Sequence, residues 1–178
     1  MIIGLVGYAR VGKNTAADCL KSYHQASFAK ALKEEVAEIM NNRGGFGLRI
    51  DFKKDEEAKI KYRPLLVAWG EARRQAYENY WIDMLFKHIG QDLYHVNYVV
   101  TDCRYENEVQ AIKNVGGKIL YIKRPDYGPA NDVEAKSIQE ILDSGLIDYT
   151  IVNDGTVEDL KEKMSLAHHV IMRWKEVV

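Results

Sequence analysis

The chain has 178 residues and a formal net charge of −1, with 25 basic and 26 acidic residues. This length is enough for one domain with a full core, and the charge balance argues against a nucleic-acid-binding protein. A membrane helix needs roughly 20 apolar residues, and no run approaches that length. The two isolated cysteines, Cys19 and Cys103, provide neither a disulfide framework nor a zinc site. Without a recognisable signal peptide, we expect a cytoplasmic, single-domain protein spanning residues 1–178.

The first twenty residues form the most informative segment of the chain. An apolar run, Met1–Val6, precedes the loop Gly7–Lys13, which reads GYARVGK and fits the pattern G-x-x-x-x-G-K. A helix is predicted from about Lys13 to Ser22. This order of strand, glycine-cornered loop and helix is the context in which a phosphate-binding P-loop works.

The loop composition suits an anion. Two glycines permit positive φ and a close approach of the backbone to a phosphate, while consecutive N–H groups and the helix N-terminus attract negative charge. Lys13 can reach β- and γ-phosphate oxygens. Predicted contacts to the phosphates of ATP are Gly7, Ala9, Arg10, Val11, Gly12, Lys13, Asn14 and Thr15.

The residue that would hold Mg²⁺ is ambiguous. P-loops usually carry Ser or Thr directly after the lysine, but here that position holds Asn14, with Thr15 one residue later. Either the Asn14 carbonyl or the Thr15 hydroxyl can act as the ligand.

Helices are predicted through the first half of the chain. Apolar spacing predicts amphipathic helices over Phe28–Met40, Asp55–Tyr62, Pro64–Tyr77 and Trp81–Ile89. The segment Asn41–Lys54 contains three glycines and has no periodicity, which indicates a mobile loop. The helix Pro64–Tyr77 is expected to bury Leu65, Leu66, Ala68, Trp69 and Ala72.

The second half alternates strands with helices. Strands are predicted over His95–Thr101, Lys118–Ile122 and Tyr149–Val152. Helices are predicted over Glu106–Val115 and Glu134–Leu142 and after the capping residue Thr156. This alternation predicts an α/β fold with a parallel sheet and helices on both faces.

Candidate catalytic residues follow the strand His95–Thr101. Asp102 is placed just past its end, at the edge where α/β sheets bind ligands, and would orient Mg²⁺ or face the acceptor. Arg104 could clamp a phosphate with two hydrogen bonds. The two side chains could equally form a plain ion pair.

Other candidates have structural alternatives. The arginines Arg63, Arg73 and Arg74 would bind an acidic acceptor, although each alone is more often a surface residue. Trp81 could stack on a base or belong to the core. Arg124 begins the glycine- and proline-containing loop Arg124–Val133, and is a candidate lid arginine. His168 and His169 are interpreted as a solvated pair.

Several segments together resemble a known family. They are GYARVGKNT, SFAKALKEEV, RPLLVAWGEARR with YWID, VVTDCRYENEVQAIKNVGGKILYIKRP, and IDYTIVNDGTVEDLKEKM. In this order they resemble the deoxynucleoside monophosphate kinases of bacteriophages, a branch of the P-loop NMP-kinase fold. The segment TDCRYENE, close to the family pattern D-x-R-x-x-x-E, is the most specific match.

The resemblance implies roles for individual residues. Lys13 and its loop would hold ATP, and Arg104 would be catalytic. Asp102 and Glu108 would face the acceptor. Further acceptor contacts would be Lys33, Trp81 and one of Arg73 or Arg74. The ATP side would add Arg124, Asn153 and Gly155. The fold would be three-layered, with an acceptor-binding helical region at about 28–90 and a short lid at about 124–137.

The sequence therefore predicts an ATP- and Mg²⁺-dependent kinase that phosphorylates a deoxynucleoside monophosphate, and the resemblance to related enzymes suggests a homodimer. No membrane or nucleic-acid partner is expected. One alternative is a P-loop kinase for another small phosphorylated acceptor, such as dephospho-coenzyme A. The other is a nucleotide-binding module that hydrolyses ATP slowly and acts through a partner.

Overall fold

A parallel β-sheet carries the N-terminal segment and the second half of the chain. The computed structural model describes residues 1–43, 50–52 and 54–173. Within these residues the sheet has five strands in the order β2-β3-β1-β4-β5. The strands are β1 (Ile2–Val6), β2 (Tyr23–Ala26), β3 (Asn97–Cys103), β4 (Lys118–Lys123) and β5 (Tyr149–Val152).

The helices follow the predicted positions closely. Those associated with the sheet are α1 (Lys13–Cys19), α6 (Glu106–Asn114), α7 (Asp132–Asp143) and α8 (Val157–Arg173). Those between β2 and β3 are α2 (Phe28–Arg43), α3 (Glu56–Lys61), α4 (Arg63–Ala76) and α5 (Tyr80–Ile89), followed by a 3₁₀ turn over Gly90–Tyr94.

Alternate residues of β1 face different helical layers. Ile3 and Leu5 belong to an apolar cluster that also contains Ala16 of α1 and Met164 of α8. Gly4 points the other way: a Cβ added there would lie 2.9 Å from the Ile112 side chain of α6. Because successive strand residues point to opposite faces, helices cover both faces of the sheet. The predicted three-layer α/β architecture is confirmed.

The residues between the sheet segments form a second compact unit. Residues 1–26 and 89–178 make up the first unit, and residues 27–88 make up the second. The second unit has its own apolar cluster, in which Val36, Phe52, Ala58 and Leu66 are buried. Its bounds differ by one or two residues from the region 28–90 that we assigned to acceptor binding, and that assignment stays a prediction.

The loop predicted over Asn41–Lys54 begins later than expected, because helix α2 continues to Arg43. Phe52, near its other end, is buried. The three glycines that led to the loop prediction fall outside the described residues. Residues 44–49 and 53 lie outside the described residues.

Helix α4 buries only part of the predicted face, together with a glycine that was not predicted to be inside. Leu66 and Gly70 are buried, whereas Leu65, Ala68 and Ala72 are exposed. The bare Cα of Gly70 leaves space for Leu32, whose side chain would lie 3.2 Å from an added Cβ.

Two strand predictions also needed correction. β2 was not predicted, and β3 begins at Asn97 and extends through Cys103, so Asp102 lies within the strand. In the part of the chain that the structure describes, no helix is both long and apolar enough to cross a membrane.

Candidate active site

The glycine loop follows β1, at the C-terminal edge of the sheet. Val6, the last residue of β1, is paired with Cys103 of β3 on one side and with Tyr121 of β4 on the other. The ends of three parallel strands therefore meet beside the loop. This edge is where open α/β sheets bind their ligands.

The loop has the backbone geometry that its glycines predict. Gly7 has φ 149° and Gly12 has φ 102°, and a Cβ at Gly7 would overlap the Ile122 carbonyl oxygen. Arg10 adopts φ 66° without being glycine, a left-handed conformation that is uncommon for a residue with a Cβ. Helix α1 starts directly after Gly12, whose carbonyl accepts a 2.9 Å hydrogen bond from the amide of Ala16.

Lys13 is folded across the loop. Its Nζ donates hydrogen bonds of 2.7 Å to the carbonyl oxygens of Gly7 and Tyr8. Burial lowers the pKa of Lys13, and the Arg104 guanidinium lowers it further, while Glu134 and Asp102 oppose the shift. The ammonium group thus shares one electrostatic environment with a second cation and two carboxylates.

Asp102 and Arg104 flank Cys103, the β3 residue that pairs with Val6 at the end of β1. Asp102 is half-buried near the end of β3, and Arg104 is exposed in the turn before α6. The two strands that carry or precede the predicted catalytic residues therefore end side by side, and the catalytic roles stay predictions.

Glu108 has a structural role that its predicted acceptor contact did not anticipate. Its side chain is 1% exposed. Its Oε2 accepts hydrogen bonds from the backbone amides of Arg104, at 2.8 Å, and Tyr105, at 3.2 Å. A carboxylate in the first turn of α6 satisfies N–H groups that the helix leaves unpaired. Glu108 fixes the turn that presents Arg104.

Asn153 supports the phosphate loop. It was expected beside adenine, but it is 7% exposed and its Nδ2 donates a 2.9 Å hydrogen bond to the Val11 carbonyl oxygen. The same Nδ2 would lie 2.7 Å from a Cβ added to Gly12. Gly155, two residues further on, is exposed, and its expected contact with ATP stays a prediction.

Glu134 was missed by the sequence analysis. It lies in the first turn of α7 and is 9% exposed, and its Oε1 accepts a 3.0 Å hydrogen bond from the amide of Ala9. Its Oε2 accepts a 2.7 Å bond from the amide of Ala130. From the sequence, a glutamate three residues after the capping residue Asn131 is expected to be a solvated acid in the first turn of the helix. Its contact with Ala9, 125 positions away in the sequence, cannot be seen in the local pattern.

Arg124 lies in the connection between β4 and α7, with its guanidinium 4.5 Å from the centre of the Tyr127 ring. This stacking orients the arginine within the segment predicted to form a lid. Its contact with ATP stays a prediction.

Two acceptor candidates of the second unit are held by other groups. Arg73 pairs with the carboxylate of Glu35, which also accepts hydrogen bonds from Trp69 and Tyr80. Trp81 is 2% exposed and its indole N–H donates a 3.0 Å bond to the Gly70 carbonyl oxygen. The structure therefore favours the core alternative for Trp81 over base stacking.

Three further acceptor candidates also belong to the second unit. Lys33 is half-buried on α2, Arg74 is half-buried on α4, and Arg63 is exposed at the start of α4. Their proposed contacts stay predictions.

The site offers oxygen ligands suited to a hard cation. Asn14 is exposed and Thr15 half-buried in the first turn of α1, and Asp102 precedes Cys103, which pairs with Val6 at the end of β1. Among the described residues no group of three or more His, Cys, Asp or Glu could hold a metal by itself. Mg²⁺ is usually bound by one or two protein oxygens together with substrate phosphates, so Asn14, Thr15 and Asp102 are the residues that would hold it.

His168 departs from the predicted solvated pair. Its Nε2 lies 2.9 Å from the Tyr23 hydroxyl, and the two rings meet edge to face at 5.5 Å. Burial lowers the pKa of His168. His169 is exposed, as expected.

Solved structures support the fold. Dephospho-CoA kinase from Campylobacter jejuni matches with a TM-score of 0.53 and 18% identity, over 98% of each chain. Shikimate kinase from Aquifex aeolicus matches with a TM-score of 0.50 and 12% identity, over 95% of this chain and 96% of its own. At these identities the likeness establishes a P-loop kinase fold and nothing about the acceptor.

Viral relatives share more of the sequence. A protein of Acanthamoeba polyphaga mimivirus, named provisionally as a deoxynucleotide monophosphate kinase, is 28% identical over 89% of this chain and 91% of its own length. An uncharacterized protein of Ictalurid herpesvirus 1 is 26% identical over 60% of this chain, and that match spans about half, 48%, of the herpesvirus protein. A bacteriophage origin stays a prediction.

The family model described as deoxynucleotide monophosphate kinase matches residues 74–164. This range includes Asp102, Arg104, Glu134 and Asn153, and covers just over half of the 178 residues. The chain belongs to the deoxynucleotide monophosphate kinase family.

Proposed function

We propose that the protein transfers the γ-phosphoryl group of ATP to the phosphate of a deoxynucleoside monophosphate, giving the diphosphate and ADP. One observation carries the proposal: in a chain of this family, the P-loop follows the strand residue Val6, which pairs with Cys103, and Cys103 lies between Asp102 and Arg104. The chemistry of phosphoryl transfer requires a phosphate cradle and positive charge around the moving group.

The proposed roles follow from the local geometry. The amides after Gly12 and the N-terminus of α1 would hold the phosphates of ATP. Lys13 would exchange its hydrogen bonds to the Gly7 and Tyr8 carbonyls for bonds to phosphate oxygens. Arg104, held by Glu108, would contact the transferring group.

Mg²⁺, held by Asn14 or Thr15 and the phosphates, would neutralise charge on the triphosphate. Asp102 would orient this ion or the acceptor. No protein nucleophile is needed, because the rate enhancement would come from positioning the reactants and stabilising charge in the transition state.

The test is ADP formation from ATP and Mg²⁺ with each of the four common deoxynucleoside monophosphates. We expect ADP to form only when at least one of them is present. The Lys13→Ala variant should be inactive, whereas Lys161→Ala, at an exposed lysine of α8, should retain activity. A slow rate of ADP formation that is the same with and without acceptor would instead identify an NTPase or a nucleotide-binding module.

A further inference from the structure

We infer that Glu134 is a positioning residue for ATP binding, which holds the phosphate loop in the conformation that accepts the triphosphate. The inference rests on the proposed use of this loop for ATP. It assigns to Glu134 a role in nucleotide affinity, exerted through the backbone of the loop.

Several side chains form hydrogen bonds with the backbone of the phosphate loop. Lys13 bonds to the carbonyls of Gly7 and Tyr8, and Asn153 bonds to the carbonyl of Val11. Glu134 accepts a hydrogen bond from the amide of Ala9. Of these three supports, Glu134 is the one that receives a loop N–H group.

Arg10, the residue after Ala9, has a strained backbone conformation. Its φ is 66°, a left-handed conformation that is disfavoured for a residue with a Cβ. Such strain persists where the surroundings fix the backbone on both sides. Glu134 holds Ala9 immediately before Arg10, and Asn153 holds Val11 immediately after it.

The Glu134 carboxylate connects the phosphate loop to Ala130, which precedes α7. Glu134 is nine-tenths buried, with one oxygen bound to the Ala9 amide and the other to the Ala130 amide. A carboxylate has two acceptor oxygens and no donor, so it matches two N–H groups. Ala130, which precedes the capping residue Asn131 of α7, is thereby coupled to the loop.

The best variant replaces the carboxylate with its amide. In Glu134→Gln, one side-chain oxygen can accept from one amide, but the NH₂ group would face the other N–H. At least one of the two bonds is lost, and a loop that populates its competent conformation less often binds its ligand proportionately more weakly. We expect the dissociation constant for ATP, measured by calorimetry without acceptor, to rise on the order of tenfold.

Two further variants separate this role from a general loss of stability. Glu140→Gln lies on the same helix at an exposed position and should bind ATP as the wild type does. Glu134→Asp keeps the charge but is one methylene shorter, and should give an intermediate affinity. Under saturating ATP, the kcat of Glu134→Gln should change less than its KM for ATP.

Amide hydrogen exchange tests the inference without nucleotide. The Ala9 and Ala130 amides should exchange slowly in the wild type and faster in Glu134→Gln, while amides of the strand β4 stay protected. A wild-type protein that binds no ATP would overturn the proposed function, and the exchange result would still decide the local role of Glu134.

Three results would overturn the inference. The first is unchanged ATP affinity in Glu134→Gln, even if its melting temperature falls. The second is tighter binding, which would mean that the negative charge near Lys13 opposes the triphosphate more than the hydrogen bonds favour it. The third is unchanged exchange of the Ala9 amide.

Discussion

Replacing Gly12 with alanine should destabilise the protein through two separable terms. The first is conformational: at φ 102°, an L-residue is disfavoured by roughly 1–2 kcal/mol. The second is steric, because the new Cβ would lie 2.7 Å from the Nδ2 of Asn153. Displacing this amide breaks its bond to Val11 and leaves buried groups unsatisfied, which costs about 1–3 kcal/mol. The sum is about 2–5 kcal/mol.

A matched control isolates the steric term. Gly145 also has a positive φ, 72°, but a Cβ added there meets nothing within 4 Å. Gly145→Ala should therefore carry only the conformational cost. Thermal or denaturant unfolding measures both variants, and at about 2–4 °C per kcal/mol the difference between them is resolvable.

A double-mutant cycle identifies the neighbour responsible. In an Asn153→Ala background the amide is absent, so the cost of adding Gly12→Ala should fall to that of Gly145→Ala. Equal destabilisation by Gly12→Ala and Gly145→Ala in the wild-type background would show that the contact with Asn153 adds no steric cost. So would a Gly12→Ala cost that does not change when Asn153 is removed.

Three further predictions concern the site and its surroundings. Arg104→Ala should lower kcat by several orders of magnitude while Arg173→Ala has no effect, and a loss under tenfold in steady-state assays would make Arg104 structural. Trp81→Phe should reduce stability by about 1 kcal/mol, through the lost bond to Gly70, and leave the acceptor KM unchanged, whereas a stacking residue would raise that KM. Burial lowers the pKa of His168 from its ordinary 6.5, so the unfolded chain binds more protons and stability should fall as pH drops below about 6.5. Denaturant unfolding across this range should show the effect weakened in His168→Gln but not in His169→Gln.

The local features of the phosphate loop were predictable from sequence. A G-x-x-x-x-G-K pattern between an apolar run and a helix specifies its own strand, turn and helix within twenty residues. The strand β3 and the turn at Arg104 were also predictable, because an apolar, β-branched run precedes the charged residues. These signals are short-range, so they need no knowledge of the tertiary contacts.

The edge strand β2 shows where pattern reading fails. Tyr23–Ala26 has four residues, two of them, His24 and Gln25, polar and exposed. It pairs with β3 on one side and is the edge of the described sheet. A short edge strand does not require the continuous apolar sequence that identifies a buried parallel strand.

The contacts of Asn153 and Glu134 with the phosphate loop could not be predicted from sequence, for a different reason. Asn153 and Glu134 act on loop residues more than 100 positions away in the sequence. Each also has an ordinary local explanation, as a residue after a strand and as a first-turn helix acid. Only the tertiary fold shows that their polar atoms are directed at the loop.

Helix α4 illustrates an ambiguity of periodicity. Leu65, Ala68 and Ala72 form one apolar stripe, and Leu66, Trp69 and Gly70 form the adjacent one. The structure buries Leu66 and Gly70 and leaves the first stripe exposed. Because glycine allows a close approach, its position was a better guide to the buried face than the count of apolar residues.

Product analysis is the decisive test of phosphoryl transfer from ATP to a deoxynucleoside monophosphate. The protein would be incubated with γ-³²P-labelled ATP, Mg²⁺ and one deoxynucleoside monophosphate at a time, and the products separated by chromatography. We expect ³²P in the deoxynucleoside diphosphate with the wild type, and no labelled diphosphate with the Lys13→Ala variant. Label recovered only as inorganic phosphate, with every acceptor tested, would contradict the proposed transfer.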